Sequence, residues 1–168
     1  MKEVKFSVRI TVKDMFLFLL QHSYRGSALI ADAIVTFGAI GMLLAGFGKG
    51  DPVKAVALIL VALLFTVVHP VQLYSRARKQ VTKNDVFKKP LDYTLTDEGI
   101  TLSQEAESQS FGWTDVYQVR ESKSQILVYT GRVYACIWPK RDLAEHEEEV
   151  REFFRKNLSE KVAGRSIR

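Results

Sequence analysis

Two ionisable side chains stand inside otherwise apolar stretches of the sequence. Asp32 is the one charged residue in the 22 positions of stretch 27–48, and His69 lies near the end of the apolar stretch 53–74. If both stretches cross a membrane, the two side chains reach similar depths. There they form a proton- or ion-linked site, form a structural pair, or lie at headgroup level. The sequence therefore predicts Asp32 and His69 as a candidate intramembrane polar pair and leaves these roles open.

The other residue types that carry chemistry are scattered along the chain. His22 and His146 have no partner at metal-ligand spacing, and no HExxH, CxxC, GxSxG or dinucleotide-binding pattern occurs. The run GFGKG at 46–50 lacks the full spacing and the Lys-Ser/Thr ending of a phosphate loop. The acidic run 147–149 opens a helical pattern and matches its dipole better than it matches a cation site. We therefore expect no enzyme activity, no catalytic residues, no metal and no cofactor.

The two apolar stretches predict a pair of transmembrane helices. A 22-residue helix is roughly 33 Å long, enough for a hydrocarbon core of about 30 Å. Neither stretch has the polar face of a helix that packs on a soluble core. A secretory signal peptide is excluded because 26 mixed residues come first. We predict transmembrane helices at 27–48 and 53–74, joined by an external turn at 49–52.

The distribution of basic residues predicts how this hairpin is oriented. Five Lys or Arg precede the first span, six follow the second within about twenty residues, and the turn region has Lys49 and Lys54. The five that precede are Lys2, Lys5, Arg9, Lys13 and Arg25. Basic residues favour the cytoplasmic side, and the lone Cys136 fits a reducing compartment. We predict a multi-pass plasma-membrane protein with both termini in the cytoplasm.

The segments next to the spans are polar and partly basic. Period-two alternation predicts a strand within 1–12, and an amphiphilic pattern predicts an interfacial helix at 13–26. Residues 75–90 read as a basic juxtamembrane helix and linker. Its basic residues are candidate contacts for anionic lipid: Arg76, Arg78, Lys79, Lys83, Lys88 and Lys89.

Residues 91–168 show short alternating strands followed by one amphipathic helix. A turn at Asp97-Glu98-Gly99 predicts a hairpin, further strands follow at 108–113, 116–121, 126–130 and 133–138, and Asp142 is the expected helix cap. This order predicts a small antiparallel sheet capped by a C-terminal helix, as in pleckstrin-homology-like modules. We expect the N-terminal strand to join that sheet. The fold class is therefore membrane α+β, a two-helix transmembrane hairpin with a cytoplasmic pleckstrin-homology-like domain.

Several short motifs follow one another along almost the whole chain. They are Thr11-Val-x-Asp14, Asn84-x-x-Phe87-x-x-Pro90, Tyr93-x-Leu95-x-Asp97-x-Gly99-Ile100, Ser110-x-x-Trp113-x-Asp115-Val116 with Glu121, and Pro139-Lys140-Arg141. In this order the sequence resembles the bacterial YcxB-like family of membrane proteins, although Trp138 stands where an aliphatic residue is expected. The resemblance implies a two-span inner-membrane protein with a cytoplasmic pleckstrin-homology-like domain, and it implies no activity.

Composition and charge indicate which classes of molecule the chain is expected to bind. The chain has 168 residues, 47% of them apolar, and a net charge of +5. From Ser75 onward 17 basic residues face 15 acidic ones, so no basic excess favours nucleic acid. We expect a membrane-anchored binding or scaffold module in contact with the lipid bilayer and with a protein partner or a second copy of the chain. The alternative is an oligomeric transport or sensing component that uses Asp32.

Overall fold

The computed structural model describes residues 3–24, 27–132 and 134–163. The chain divides into two compact units, Met1–Met15 with Val81–Arg168, and Phe16–Gln80. The first unit contains two antiparallel sheets with helices, which confirms an α+β architecture. Some positions of the predicted segments lie outside the described residues: Met1 and Lys2, Arg25 and Gly26, Val133, and 164–168.

The second unit is helical. Helix α1 (Val12–Ser23) begins in the first unit and ends in the second, and α2 (Ser27–Leu44) follows. Helix α3 (Pro52–Leu63) continues through one π-helical turn, Leu64–Val68, into α4 (His69–Lys83). The π turn directly precedes Pro70, whose ring would clash with a carbonyl of the preceding turn in a regular α-helix. The wider turn therefore accommodates the proline without ending the helix.

The connection between α2 and α3 is longer than the predicted turn at 49–52. Helix α2 ends at Leu44, and the chain reverses through 45–50, where Gly46 and Gly50 have φ values of 83° and 79°. Such positive φ values favour glycine. Asp51 then caps α3 by accepting bonds from the backbone amides of Val53 (3.1 Å) and Lys54 (3.2 Å). Glycines that the sequence assigned to the first span thus belong to the turn.

The first sheet has four strands in the order β1-β2-β3-β4. They are β1 (Val4–Val8), β2 (Leu91–Leu95), β3 (Gly99–Gln104) and β4 (Glu107–Gly112). The N-terminal strand pairs with β2 from Val4 opposite Leu95 to Val8 opposite Leu91. Its side chains alternate between buried and exposed, as the period-two pattern requires.

The hairpin between β2 and β3 closes at Thr96, whose backbone amide donates to the Gly99 carbonyl (2.9 Å). Gly99 itself lies in β3, opposite Gly112. A Cβ at position 99 would stand 2.3 Å from the Phe111 carbonyl oxygen. The glycine is therefore required for the close approach of β4, and not for a positive φ in the turn.

The second sheet has three strands in the order β5-β6-β7. They are β5 (Gln118–Glu121), β6 (Gln125–Tyr129) and β7 (Ala135–Pro139). Every residue of β6 is buried, as expected for a central strand covered on both faces.

The C-terminal helical region is interrupted near its start. It consists of α5 (Lys140–Leu143), α6 (Glu147–Asn157) and α7 (Glu160–Ala163), with a break at Ala144, where φ is 44°. The predicted cap at Asp142 is wrong, because α6 begins after His146 without a side-chain cap. Asp142 instead accepts a bond from the Arg9 backbone amide (3.0 Å).

An aromatic cluster fills the core between the two sheets and α6. The Trp138 ring stacks on Phe154 at 5.8 Å and meets the edges of Phe6 and Tyr93 at 5.2 Å each. Trp138 is fully buried. The tryptophan that departs from the expected aliphatic residue is thus the centre of this core.

Candidate functional site

The helical unit brings the predicted polar pair together. The Nδ1 atom of His69 lies 3.7 Å from Oδ2 of Asp32, and both side chains are only partly exposed. The Nε2 atom of His69 lies 3.3 Å from Oγ of Ser23, the last residue of α1. The Tyr24 ring stands 5.4 Å from the imidazole. Both ring nitrogens of His69 therefore face a polar group, one on α1 and one on α2.

This arrangement can hold a proton or stabilise the packing of three helices. A neutral imidazole donates a hydrogen bond through one nitrogen and accepts through the other. A protonated imidazole carries a positive charge and attracts the Asp32 carboxylate. Ser23 is the member that sequence reasoning missed, since a serine at a helix end has no spacing that points to a residue 46 positions away.

Large apolar side chains cover the outside of the same unit. Ile34, Phe37 and Leu44 on α2 are 66%, 72% and 83% exposed, and Leu60 on α3 is 61% exposed. Among the described residues, the continuous helix Pro52–Lys83 is long and apolar enough to cross a membrane, and only 6% of its most apolar window is buried. The apolar part of α2, Ala31–Leu44, is shorter. Such exposure is typical of surfaces that meet lipid or a partner.

The six candidate lipid contacts differ in their surroundings. Lys88 pairs with Asp85 at 2.6 Å, and Lys89 pairs with Glu105 at 2.5 Å. Arg76, Arg78, Lys79 and Lys83 are exposed along α4. Residues 76, 79 and 83 follow one another at spacings of three and four, which places them on one side of the helix.

A second polar site joins the start of α1 to the start of α5. Arg141 donates to Asp14 through Nη1 (2.8 Å) and Nη2 (2.7 Å), and it also donates to the Arg9 carbonyl (3.0 Å). The carboxylate of Asp14 further accepts from the Thr11 amide (2.8 Å) and hydroxyl (2.6 Å). Thr11 and Asp14 thus form a capping box at the start of α1, and Arg141 adds two further bonds to the Asp14 carboxylate.

The Asp14 carboxylate is only 4% exposed. Burial alone would raise its pKa, but the bonds from Arg141 and Thr11 outweigh burial and lower the pKa below its ordinary value. The hydrogen bonds to Asp14 in turn raise the pKa of Arg141. The pair is therefore charged at neutral pH, and its contribution depends on both partners.

A third polar cluster links β5 to the start of α6. Glu121, which is 7% exposed, accepts from Lys140 and from Arg151 (2.6 Å), and the same two bases also reach Glu147. Burial raises the pKa of Glu121, but Arg151 and Lys140 bring it below its ordinary value. The acidic run of α6 therefore belongs to an ion-pair network, as expected for a structural role.

The first sheet ends in an open edge with a groove beside it. Strand β4 pairs with β3 from Gly99 opposite Gly112 to Gln104 opposite Glu107. A groove of about 540 Å³ lies along this edge, and its lining combines Val86, Leu91, Leu102, Gln104, Glu107, Ser108 and Gln109. A second depression of about 300 Å³ lies at the other end of β4, between Glu98, Thr101 and Ser110 among others. No pattern in the sequence indicated these grooves.

The side chains that could bind a metal do not gather in the described part of the chain. Across residues 3–24, 27–132 and 134–163, no three His, Cys, Asp or Glu side chains lie close enough to hold a metal ion. Burial raises the pKa of the Cys136 thiol, although a bond to Tyr93 opposes this. The thiol is therefore protonated at neutral pH.

Comparison with known proteins gives one match. Residues 95–156, little more than a third of the chain, match the family model described as YcxB-like protein. No curated protein and no solved structure matches the chain. The matched region runs from the end of β2 to the last turn of α6, and over these residues the YcxB-like resemblance is confirmed.

Proposed function

We propose that the protein is a membrane-anchored binding or scaffold module without catalysis, in which a helical hairpin crosses the lipid bilayer. The exposure of large apolar side chains on α2 and α3 carries this proposal. If these helices formed a soluble core, their apolar side chains would be buried, and residues such as Phe37 and Leu44 are not. A bilayer would provide the apolar surroundings that these exposed side chains do not find within the helical unit.

In this proposal the sheet unit lies on the cytoplasmic side as a pleckstrin-homology-like domain. Its sheets of four and three strands, followed by an amphipathic helix, support that comparison. The domain is then split in sequence, because β1 precedes the hairpin and the other strands follow it. The basic residues of α4 favour the same orientation, with both termini on the cytoplasmic side of a bacterial plasma membrane.

Cysteine labelling tests the anchor and its orientation together. In a Cys136→Ser background, single cysteines are placed at Lys49 in the turn and at Ser124 between β5 and β6, both exposed positions. A membrane-impermeant maleimide applied to intact cells should label position 49 only, and permeabilised cells should show both. Extraction of the unmodified protein by carbonate without detergent, or labelling of position 124 from outside, would contradict the proposal.

A second candidate function rests on the contact between Asp32 and His69. An oligomer of hairpins with these residues turned inward would provide a membrane-embedded transport or sensing site. Two spans cannot enclose a pathway alone, so this function requires several copies. The mass of the complex in mild detergent separates the candidates, since a monomer is incompatible with transport and a ring supports it.

A further inference from the structure

Strand β4 is a regular strand at the edge of the first sheet. All six of its residues pair in register with β3, and no other strand of the described residues pairs with it. Alternate backbone amides and carbonyls of an edge strand point away from the sheet and can pair with an added strand. Three common protections of edge strands are missing here, because β4 contains no lysine, no proline and no bulge.

The two grooves beside β4 offer space for the side chains of an added strand. One is lined by the cross-strand pair Leu102 and Gln109, and the other by the neighbouring pair Thr101 and Ser110. Successive pairs face opposite sides of a sheet. An added strand would therefore direct alternate side chains toward the groove that contains Leu102 and toward the face with the Thr101 and Ser110 hydroxyl groups.

The charge around β4 is acidic. Residues 90–119 contain six acidic side chains and no Lys, Arg or His. Two are neutralised from elsewhere, Glu105 by Lys89 and Asp97 by Lys156. Glu107 at one end of β4 and Glu98 beside the other end make no ion pair within the described residues. An anionic lipid surface would be repelled here, whereas a basic polypeptide would be attracted.

We propose that β4 binds an extended segment of another protein, which adds to the sheet as a fifth strand and carries basic residues toward Glu107 and Glu98. This inference rests on the proposed function and specifies its partner. Backbone hydrogen bonds supply the affinity, and the grooves and charges select the sequence. The favoured segment alternates apolar and hydroxyl side chains between a Lys or Arg at each end.

The first test uses the full-length chain in lipid nanodiscs and a fluorescein-labelled probe peptide, Lys-Thr-Val-Thr-Val-Thr-Val-Arg. Fluorescence anisotropy should show binding, with weaker binding of the same peptide carrying Glu at both ends. Two further peptides are N-methylated on the odd or on the even residues. Strand addition uses one edge of the peptide, so one of these two forms should lose binding about tenfold and the other should retain it. Equal effects of both forms would overturn the proposal.

A charge variant tests the place of binding. Glu107→Lys should weaken the probe peptide by about tenfold at low salt, while Glu3→Lys, an exposed charge reversal just before β1 at the opposite edge of the sheet, should leave its affinity unchanged. Buried tryptophan emission verifies that both variants are folded. If Glu107→Lys instead separates a dimer and leaves peptide binding unchanged, the edge binds a second copy and the proposal is wrong. Loss of peptide binding with intact membrane insertion would leave the anchor proposal standing, so the two can fail separately.

Discussion

Asp14 and Arg141 lie 127 positions apart in the chain and form a two-pronged ion pair, with N–O distances of 2.8 and 2.7 Å. The pair unites two motifs that the sequence offered separately, Thr11 to Asp14 and Pro139 to Arg141. The ion pair holds the start of α1, which follows β1, against the start of α5, which follows β7. The helix start and the sheet unit are thereby held by one buried carboxylate.

Removing Arg141 should destabilise the sheet unit. In Arg141→Ala the Asp14 carboxylate stays buried and keeps only its bonds to Thr11, which should lower the free energy of unfolding by about 2–3 kcal/mol. Trp113 and Trp138 are the two tryptophans, and both are buried in this unit. Guanidinium unfolding of the full chain in detergent, followed by tryptophan emission, therefore reports on the sheet unit. Arg132→Ala is the matched control, and an equal loss in both variants would contradict this role of the pair.

The same pair should make the sheet unit sensitive to acid. An aspartate in the unfolded chain titrates near pH 3.9, and in the folded protein the pKa of Asp14 is lower. Its contribution to stability is complete above the unfolded value and disappears as the pH falls through the folded value. Unfolding midpoints measured between pH 7 and pH 2.5 should drop more steeply for the natural chain than for Asp14→Asn. Parallel curves for the two proteins would refute this.

The sequence predicted the elements better than it predicted their partners. Alternation located β1, because each buried residue of a half-buried strand is two positions from the next. The turn pattern gave a hairpin at Asp97-Glu98-Gly99, but it did not show that Gly99 lies in β3, where the close approach of the Phe111 carbonyl depends on strand pairing. It also placed the helix cap at Asp142, because it could not foresee that the Arg9 amide takes that carboxylate.

For the candidate sites, too, the sequence predicted the residues better than it predicted their contacts. Asp32 and His69 were predictable as a pair because two apolar stretches of 22 residues each, joined by a short turn, would bring their far ends to one level. Ser23 was not, since α1 meets His69 through tertiary packing. The role of Lys88 and Lys89 as lipid contacts was inferred from charge alone. Lys88 pairs with Asp85 only three positions before it, whereas the bond of Lys89 to Glu105 depends on the folded hairpin of β3 and β4.

Gly99 should tolerate no side chain. In Gly99→Ala the added carbon would stand 2.3 Å from the Phe111 carbonyl oxygen and 3.0 Å from Gly112 Cα, so β4 must move away. We expect a loss of about 1–3 kcal/mol in the free energy of unfolding. Gly112→Ala, on the facing strand, meets its nearest atom at 3.5 Å and should change stability by less than about 0.5 kcal/mol. Tryptophan-detected unfolding compares the two, and similar losses would show that the close approach is not responsible.

Asp32 and His69 should be energetically coupled. We expect the double-mutant cycle of Asp32→Asn and His69→Gln, measured as thermal stability of the helical unit by circular dichroism in detergent, to give a coupling of about 0.5–1.5 kcal/mol. Ser23→Ala in the same series tests the third member. Strict additivity of the two substitutions would mean that the 3.7 Å contact contributes nothing.

The basic residues should divide into two groups in their response to anionic lipid. Arg76, Lys79 and Lys83 are exposed on one side of α4, whereas Lys88 and Lys89 are held by Asp85 and Glu105. Each free basic group near a membrane contributes about 1 kcal/mol of attraction to anionic lipid. On the proposed membrane anchor, phosphatidylglycerol should raise the thermal stability of the purified protein, and the triple Gln variant of the first group should lose most of that increase.

Lys88→Gln with Lys89→Gln is the matched comparison for these lipid contacts. It removes two charges that are already satisfied by carboxylates, so the stabilisation by phosphatidylglycerol should be largely retained, and phosphatidylcholine should stabilise all three proteins equally. If the pair of Gln substitutions lowers the lipid effect as much as the triple variant does, net charge alone governs lipid binding. In that case the ion pairs with Asp85 and Glu105 do not withhold these lysines from the membrane.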